Sequence, residues 1–282
     1  MPHHERDYIK SLMATQALSA KRSLGQNFLV NESALDALLQ DLPLSGTQAI
    51  ELGAGLGSLS ERLAQRFSRL KLIEIDQRLI PFLHERFKKY GPQVEIYEAD
   101  LLSFPFDPDD NSEQTLVFGN LPYYLTQPSL ERLVTELPKV AELRLVLQEE
   151  AIARVLAGPG SKSYGPINVL IALGYEIKVD RLLPPHAFFP PPHVRSQALF
   201  MRPRRSGPLS ELRGGERAEF LAFVQFLFSE RRKILRQKLR VLTSEIDSEH
   251  WATARAESLT PEDFWALYQS YGSAWQKRGL DD

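Results

Sequence analysis

Three glycines at alternate positions, Gly53, Gly55 and Gly57, join an apolar stretch to an amphipathic one and limit the folds open to this chain. The apolar residues at 49–52 predict a short strand, and their spacing over 58–67 predicts a helix. Glycine at such a junction lets the backbone turn tightly and approach a ligand beside the helix N-terminus. By itself the pattern fits a dinucleotide-binding fingerprint or a simple tight turn between a strand and a helix.

Strand-like and helix-like stretches alternate along most of the chain. A helix capped by Asn31 is predicted after a polar N-terminal stretch, and another helix is predicted over 79–90. Further strands are predicted at 70–75, 94–97, 115–118, 143–147, 175–179 and 197–201. Strands that alternate with helices indicate an α/β fold with a doubly wound, mostly parallel sheet.

The composition changes at residues 202–208, where arginine, proline, serine and glycine form a linker-like segment. Beyond it the apolar spacing predicts helices alone, beginning with one long helix over 216–241. We therefore predict two domains, 1–205 and 206–282, of which the second is small and α-helical.

The sequence contains no cysteine, which removes disulfides, thiolate zinc sites, cysteine-ligated iron–sulfur clusters and cysteine nucleophiles. Its six histidines have no metal-ligand spacing, so no metal site is expected. No apolar stretch has the length of a signal peptide or a membrane span. The expectation is a soluble, cytoplasmic protein without a metal.

Acidic residues follow two neighbouring strands after the glycine-rich turn. Glu74 lies near the end of one strand, where its carboxylate can accept hydrogen bonds from both hydroxyls of a ribose. Asp100 follows the next strand and can accept from the amino group of an adenine. With Gly53 and Gly55 these acids predict an adenosyl site at the carboxyl edge of the sheet; the alternative is a pair of solvated acids.

The segment Asn120-Leu121-Pro122-Tyr123 follows the strand predicted at 115–118 and decides between cofactors. The amine of adenine is a poor nucleophile because its lone pair is delocalised into the ring. The Asn120 oxygen and a backbone carbonyl of the turn can each accept one amine hydrogen, and the Tyr123 ring can stack on an unpaired base. A dehydrogenase has no use for such a segment, so it favours S-adenosyl-L-methionine as methyl donor; a structural Asn-Pro turn is the alternative.

Positive charge is concentrated late in the chain. Residues 193–240 carry twelve Lys and Arg against four Glu, although the net charge of the whole chain is −2. Such a segment is a solvated face or a phosphate-binding one. Arg232, Arg236 and Arg240 recur at every fourth position and would share one face of a helix. The candidate RNA-binding residues are Arg204, Arg205, Arg231, Arg232, Lys233, Arg236, Lys238 and Arg240.

Over residues 21–239 the chain resembles the small-subunit ribosomal RNA adenine dimethyltransferases. The segments that carry the resemblance are Leu24–Leu29, Glu51–Gly57, Ile73–Asp76, Gly119–Tyr123, Pro159–Gly165, Phe188–Pro192 and Arg231–Lys233. The resemblance implies a Rossmann-like methyltransferase domain followed by a helical rRNA-binding domain. It also implies dimethylation of two adjacent adenosines in a hairpin loop near the 3′ end of 16S rRNA, late in assembly, by a monomer acting on a pre-ribosomal particle.

The resemblance further implies roles for single residues. Cofactor contacts fall to Asn27, Leu29, Gly53, Glu74, Asp100 and Asn120. Phe188 would face Tyr123 across the target base, although a core position fits the sequence equally well. Tyr124 and Glu149 depart from the family pattern, which usually has Asn and Lys there. Two other functions stay open, a non-catalytic assembly or transcription factor and an enzyme for large-subunit rRNA.

Overall fold

The structure is a computed structural model that describes residues 5–15, 18–21, 24–42, 47–212, 215–230, 233–243, 251 and 253–278. Its strands are β1 (Phe28–Leu29), β2 (Gln48–Leu52), β3 (Arg69–Glu74), β4 (Val94–Glu98), β5 (Thr115–Asn120), β6 (Glu142–Gln148), β7 (Tyr175–Leu183), β8 (Phe188–Phe189) and β9 (Ser196–Pro203). Its α-helices are α1 (Glu5–Thr15), α2 (Glu32–Ala37), α3 (Ser58–Ala64), α4 (Ile80–Phe87), α5 (Thr126–Glu136), α6 (Glu149–Val155), α7 (Pro166–Gly174), α8 (Glu216–Phe228), α9 (Arg236–Leu239) and α10 (Pro261–Arg278).

Seven strands form one sheet in the order β4-β3-β2-β5-β6-β9-β7. The five strands from β4 to β6 in that order run parallel, and β9 is antiparallel to β6. The two shortest strands, β1 and β8, form a separate antiparallel pair. Because β2 lies between β3 and β5, the strand order reverses there, and ligands of open α/β sheets bind at such a reversal. The α/β prediction is confirmed.

One predicted helix is shorter in the structure, and one helix was not predicted. The predicted helix over 216–241 ends at Phe228, where the Ser229 hydroxyl donates to the Phe226 carbonyl and the Leu235 amide bonds to Ala254 instead of a helical carbonyl (both 2.9 Å). Side-chain and tertiary hydrogen bonds therefore replace the helical ones. The polar N-terminal stretch contains a helix, α1. Its residue Ile9 is fully buried and packs in a hydrophobic cluster with Phe28.

The chain divides into two compact units. The first comprises Met1–Leu133, Leu137–Ile152 and Ile177–Pro203, and the second comprises Val134–Glu136, Ala153–Glu176 and Arg204–Asp282. Within the second unit the Gly160 amide donates to the Glu257 carbonyl (2.8 Å) and the Tyr164 hydroxyl to the Leu259 carbonyl (3.0 Å). These bonds tie a segment that precedes residue 205 to the later helices. The division at 205 and 206 stays a prediction about independent domains.

The described residues lack two features, a membrane-spanning helix and a cluster of metal ligands. No described helix combines the length and apolar character that crossing a bilayer requires. The same residues contain no group of three or more His, Cys, Asp or Glu side chains arranged to hold a metal ion.

Candidate active site

The glycine-rich turn joins β2 to α3 at the reversal of strand order. Gly53, Gly55 and Gly57 have φ angles of 73°, 58° and 81°, which side chains other than glycine rarely adopt. A Cβ atom on Gly55 would lie only 2.9 Å from the Phe28 ring, whereas one on Gly53 would meet nothing within 4 Å. The turn is thus closed on one side and leaves open space above Gly53.

Glu74, the last residue of β3, is the acid nearest this turn. Its side chain is buried, with 5% of the residue exposed, and its two oxygens accept hydrogen bonds from the amides of Gly55 (2.7 Å) and Asp76 (2.8 Å). Burial raises the pKa of Glu74, and the two amide bonds partly oppose that rise. A carboxylate has about four lone-pair sites, so capacity for two ribose hydroxyls remains.

Asp100 lies two residues beyond β4, at the same edge of the sheet as Glu74. One of its oxygens accepts the Leu102 amide (2.9 Å), which fixes the loop that follows. Ile75 was predicted to lie inside a strand, but the strand ends at Glu74 and Ile75 is 47% exposed. Its position directly after the acid at the strand end was the signal that could have identified Ile75 as an exposed apolar residue at the site.

Asn120 ends β5, beside the glycine-rich turn. Its side-chain amide nitrogen donates to the Asn27 carbonyl (2.7 Å), so the amide oxygen is left to accept from a ligand. The Pro122 carbonyl already accepts the Leu125 amide (3.0 Å), which makes the carbonyl of buried Leu121 the better candidate for the second amine hydrogen. Tyr123 follows with 39% of its surface exposed.

Phe188 is placed differently from its neighbours in the predicted site. It is only 1% exposed, lies in the hydrophobic core of the first unit and pairs with Leu29 between β1 and β8. A base therefore has no access to this ring unless its packing opens. The stacking of Phe188 opposite Tyr123 stays a prediction.

A cavity at the carboxyl ends of β2 and β5 brings several of these residues together. Its lining includes the predicted Leu29, Gly53, Gly55 and Asn120, and also Glu51 and Ser58, which sequence reasoning left out. The Ser58 hydroxyl is buried and has no hydrogen-bond partner among the described residues. An unsatisfied buried hydroxyl in a cavity lined by the glycine-rich turn fits a polar ligand such as the adenosyl group with its amino-acid tail.

The comparisons with known proteins agree on one family. A sequence profile described as "Ribosomal RNA adenine dimethylase" matches residues 17–271. This chain belongs to that family. It is 35% identical over 251 residues to the "Ribosomal RNA small subunit methyltransferase A" of Salinibacter ruber, covering 88% of this chain and 83% of that protein. The protein of the same name from Saccharophagus degradans is 32% identical over 256 residues, covering 88% and 93%.

Solved structures show the same fold. A dimethyladenosine transferase from Plasmodium falciparum superposes with a TM-score of 0.69 at 21% identity, covering 88% of this chain and 98% of that chain. The 23S rRNA methyltransferase ErmE gives a TM-score of 0.60, also at 21% identity, covering 87% and 100%. These two structures show the Rossmann-like fold, whereas the family match and the relatives above show that the chain is an rRNA adenine dimethyltransferase of a family that uses S-adenosylmethionine.

The predicted RNA-binding residues are spread over the second unit. Arg204, Arg205, Arg236 and Arg240 are exposed, and the last two lie one helical turn apart at α9. Lys233 pairs with Glu230, and the Lys238 ammonium lies 3.5 Å from the same carboxylate. Arg231 and Arg232 lie outside the described residues. Part of the segment's charge is internal: Arg217 is buried and donates to the Leu209 carbonyl (2.8 Å).

Substitution of Glu74 by glutamine tests the adenosyl site. We expect Glu74→Gln to weaken S-adenosylmethionine binding about 100-fold. The carboxylate of Glu74 has two oxygens to accept two backbone N–H groups and the ribose hydroxyls, whereas the glutamine side chain has only one acceptor oxygen. Calorimetric titration measures the dissociation constant. Glu98→Gln is the matched control, since Glu98 pairs with Glu74 in register but is exposed. Equal affinities for both variants would contradict the assignment.

Proposed function

We propose that this chain transfers two methyl groups to the N6 amine of each of two adjacent adenosines. These adenosines lie in a hairpin loop near the 3′ end of small-subunit rRNA. The observation that carries the proposal is the orientation of Asn120, whose amide nitrogen is engaged by the Asn27 carbonyl so that its oxygen is open beside the glycine-rich turn. The names of the relatives point to the small subunit.

Each chemical step expected of the protein falls to a few atoms at the β5 edge. In the first transfer to each adenine, the Asn120 oxygen and the Leu121 carbonyl accept the two amine hydrogens; in the second transfer, one of these oxygens accepts the single hydrogen that remains. Either arrangement concentrates the lone pair on the nitrogen. S-adenosylmethionine supplies an electrophilic methyl group on a sulfonium, which is a good leaving group. The methylated nitrogen releases its proton to water, so the protein needs no strong base, and catalysis comes from proximity and from the oriented acceptors.

The target base must leave its helix or loop stack to reach these acceptors. The exposed ring of Tyr123 offers one face for stacking, a contact worth about 1–3 kcal/mol per base. Phe188 would supply the opposite face after its packing opens. Ile75, exposed next to Glu74, is our candidate for contact with the adenine ring of the cofactor.

Binding of rRNA is assigned to the exposed arginines of the second unit. Arg236 and Arg240 share one face of a helical turn, and Arg204 and Arg205 add two exposed guanidinium groups. Such groups hold phosphates without reading sequence, and each phosphate contact makes binding more sensitive to salt. We propose a monomer that acts in the cytoplasm on a pre-ribosomal particle late in assembly.

Mapping of methylated nucleotides tests the proposed substrate. Purified protein is incubated with labelled S-adenosylmethionine and, in separate reactions, with small-subunit and with large-subunit particles that lack the modification, and the rRNA of each is then mapped. We expect label on two neighbouring adenosines of a loop near the 3′ end. Label confined to large-subunit rRNA would replace the substrate with the alternative one, and binding of particles without any transfer would favour a non-catalytic factor.

A further inference from the structure

The segment before α2 forms a wall of the active site, although it is distant in sequence from the rest of it. We call residues 24–31 the arm. A Cβ atom on Gly25 would lie 2.9 Å from the Pro122 ring, so only glycine lets the arm lie this close to the Asn-Leu-Pro-Tyr segment. Two residues on, the Asn27 carbonyl accepts the Asn120 amide, and the Phe28 ring covers Gly55. The arm thus contacts both the glycine-rich turn and the methylation segment.

The arm is held to the sheet through one buried carboxylate. Asp76 accepts hydrogen bonds from the Gln26 amide (2.9 Å), from the Lys21 ammonium (3.2 Å) and from two nitrogens of Arg78 (2.9 and 2.6 Å). The Gln26 oxygen in turn accepts the Lys21 backbone amide (2.7 Å). The Asp76 side chain is fully buried, and chiefly the Arg78 guanidinium keeps its pKa far below the usual range. We call these four residues the Asp76 clasp.

The clasp matters because an asparagine amide has two orientations of similar shape. Turned by half a revolution about its last bond, Asn120 would present its NH2 group to the amine of the target and repel it. The Asn27 carbonyl accepts a hydrogen bond from only one orientation. The position of that carbonyl depends on the arm, since Gln26 is the neighbouring residue and its side chain ends on Asp76.

We propose that Gln26 and Asp76 are positioning residues of methyl transfer, which fix the Asn27 carbonyl and thereby keep the Asn120 oxygen facing the target amine. The proposal rests on the function proposed above. It assigns no contact with substrate to either residue. Displacement of catalytic groups by about 1 Å can cost about 100-fold in rate, so a partial loosening of the arm should be measurable.

The test compares two glutamines that each make hydrogen bonds to fix a loop. Gln26→Ala removes the bonds to Asp76 and Lys21. Gln93→Ala is the matched control, because the Gln93 amide donates to the carbonyls of Ala64 (2.5 Å) and Phe67 (2.6 Å), away from the arm. Asp76→Asn is a second variant that keeps the shape of the clasp and removes its charge. All are assayed in the full-length protein with small-subunit rRNA particles.

We expect Gln26→Ala to lower kcat about 10-fold with the KM for rRNA unchanged, Asp76→Asn to lower it less, and Gln93→Ala to leave it within about twofold. Melting temperatures of Gln26→Ala and Gln93→Ala should fall alike. Equal kcat values for these two variants, or a loss in KM alone, would overturn the proposal while wild-type transfer still supports the proposed function. No transfer by the wild-type protein would refute both.

A double-mutant cycle separates positioning from general loosening. Asn120→Asp keeps oxygen acceptors for the amine but cannot donate to the Asn27 carbonyl, so the connection to the clasp is already broken. Gln26→Ala should then lower the remaining rate by less than about twofold in the Asn120→Asp background. A further 10-fold loss in that background would show that the two residues act independently and would overturn the proposal.

Discussion

Substitution of Asn120 by alanine should lower the rate of methyl transfer by about 10²- to 10³-fold, the usual cost of one oriented polar group in an active site. The variant loses the acceptor oxygen for the target amine, and it also leaves the Asn27 carbonyl without its 2.7 Å donor. The second loss acts on the arm, so S-adenosylmethionine affinity should fall as well, by a smaller factor. The main effect is expected on kcat, since the acceptor acts on the reacting amine.

Single-turnover transfer to small-subunit particles measures this loss directly. Gln127→Ala provides the control, because Gln127 is an exposed amide on α5 that bonds only its helical neighbour Glu131 (3.0 Å) among the contacts described. Its rate should match the wild type. Wild-type kinetics in Asn120→Ala, with an intact melting transition, would refute the role of the amide oxygen.

Local patterns sufficed where structure and chemistry depend on neighbouring residues. The strand at 115–118, the glycine-rich turn and Asn120 were all predicted, because apolar runs, glycine and the strand-end position are visible in short windows. The Asn31 cap is confirmed in the same way: its side chain accepts the Ala34 amide (2.9 Å). Each of these features needs only a few consecutive residues.

Contacts between distant parts of the chain were beyond such reasoning. The Asn27 carbonyl meets Asn120 across 93 positions of sequence, and no pattern in either segment predicts the bond. The apolar spacing over 216–241 predicted one long helix, but the Leu235 amide bonds to Ala254 and the helix ends at Phe228. The burial of Phe188 follows from its pairing with Leu29, a contact 159 positions away along the chain.

Glu51 was overlooked because an acid inside an apolar strand gives no signal of its role. It is 4% exposed, lines the cavity beneath the glycine-rich turn and accepts the Ser60 hydroxyl (2.5 Å). Burial raises the pKa of Glu51 to about 8, more than the Ser60 bond and the nearby Arg86 lower it. Near neutral pH the folded protein therefore holds this side chain mostly as the uncharged acid.

A raised pKa in the folded state makes stability depend on pH with a defined sign. Between the ordinary glutamate pKa of 4.5 and about 8, the folded protein keeps the Glu51 proton and the unfolded chain releases it. Rising pH in this window therefore favours the unfolded chain, by about 1.4 kcal/mol per pH unit at most. The contribution of Glu51 is fully present below pH 4.5 and is lost as the pH rises to about 8.

Glu51→Gln should remove this dependence, because glutamine does not titrate and can still accept the Ser60 hydroxyl. We expect the free energy of unfolding of Glu51→Gln, relative to wild type, to increase by about 3 kcal/mol between about pH 5 and about pH 8. Any fixed difference between a buried amide and a buried acid cancels in this comparison.

Denaturant unfolding at a series of pH values measures the difference, with Glu98→Gln as the control that removes an exposed glutamate at the same edge of the sheet. For that control the difference from wild type should stay nearly constant over the same range. A constant difference for Glu51→Gln would mean that Glu51 is ionised in the folded protein throughout this pH range. The pH series therefore also reports the charge that the cavity presents to the sulfonium and ammonium groups of its ligand.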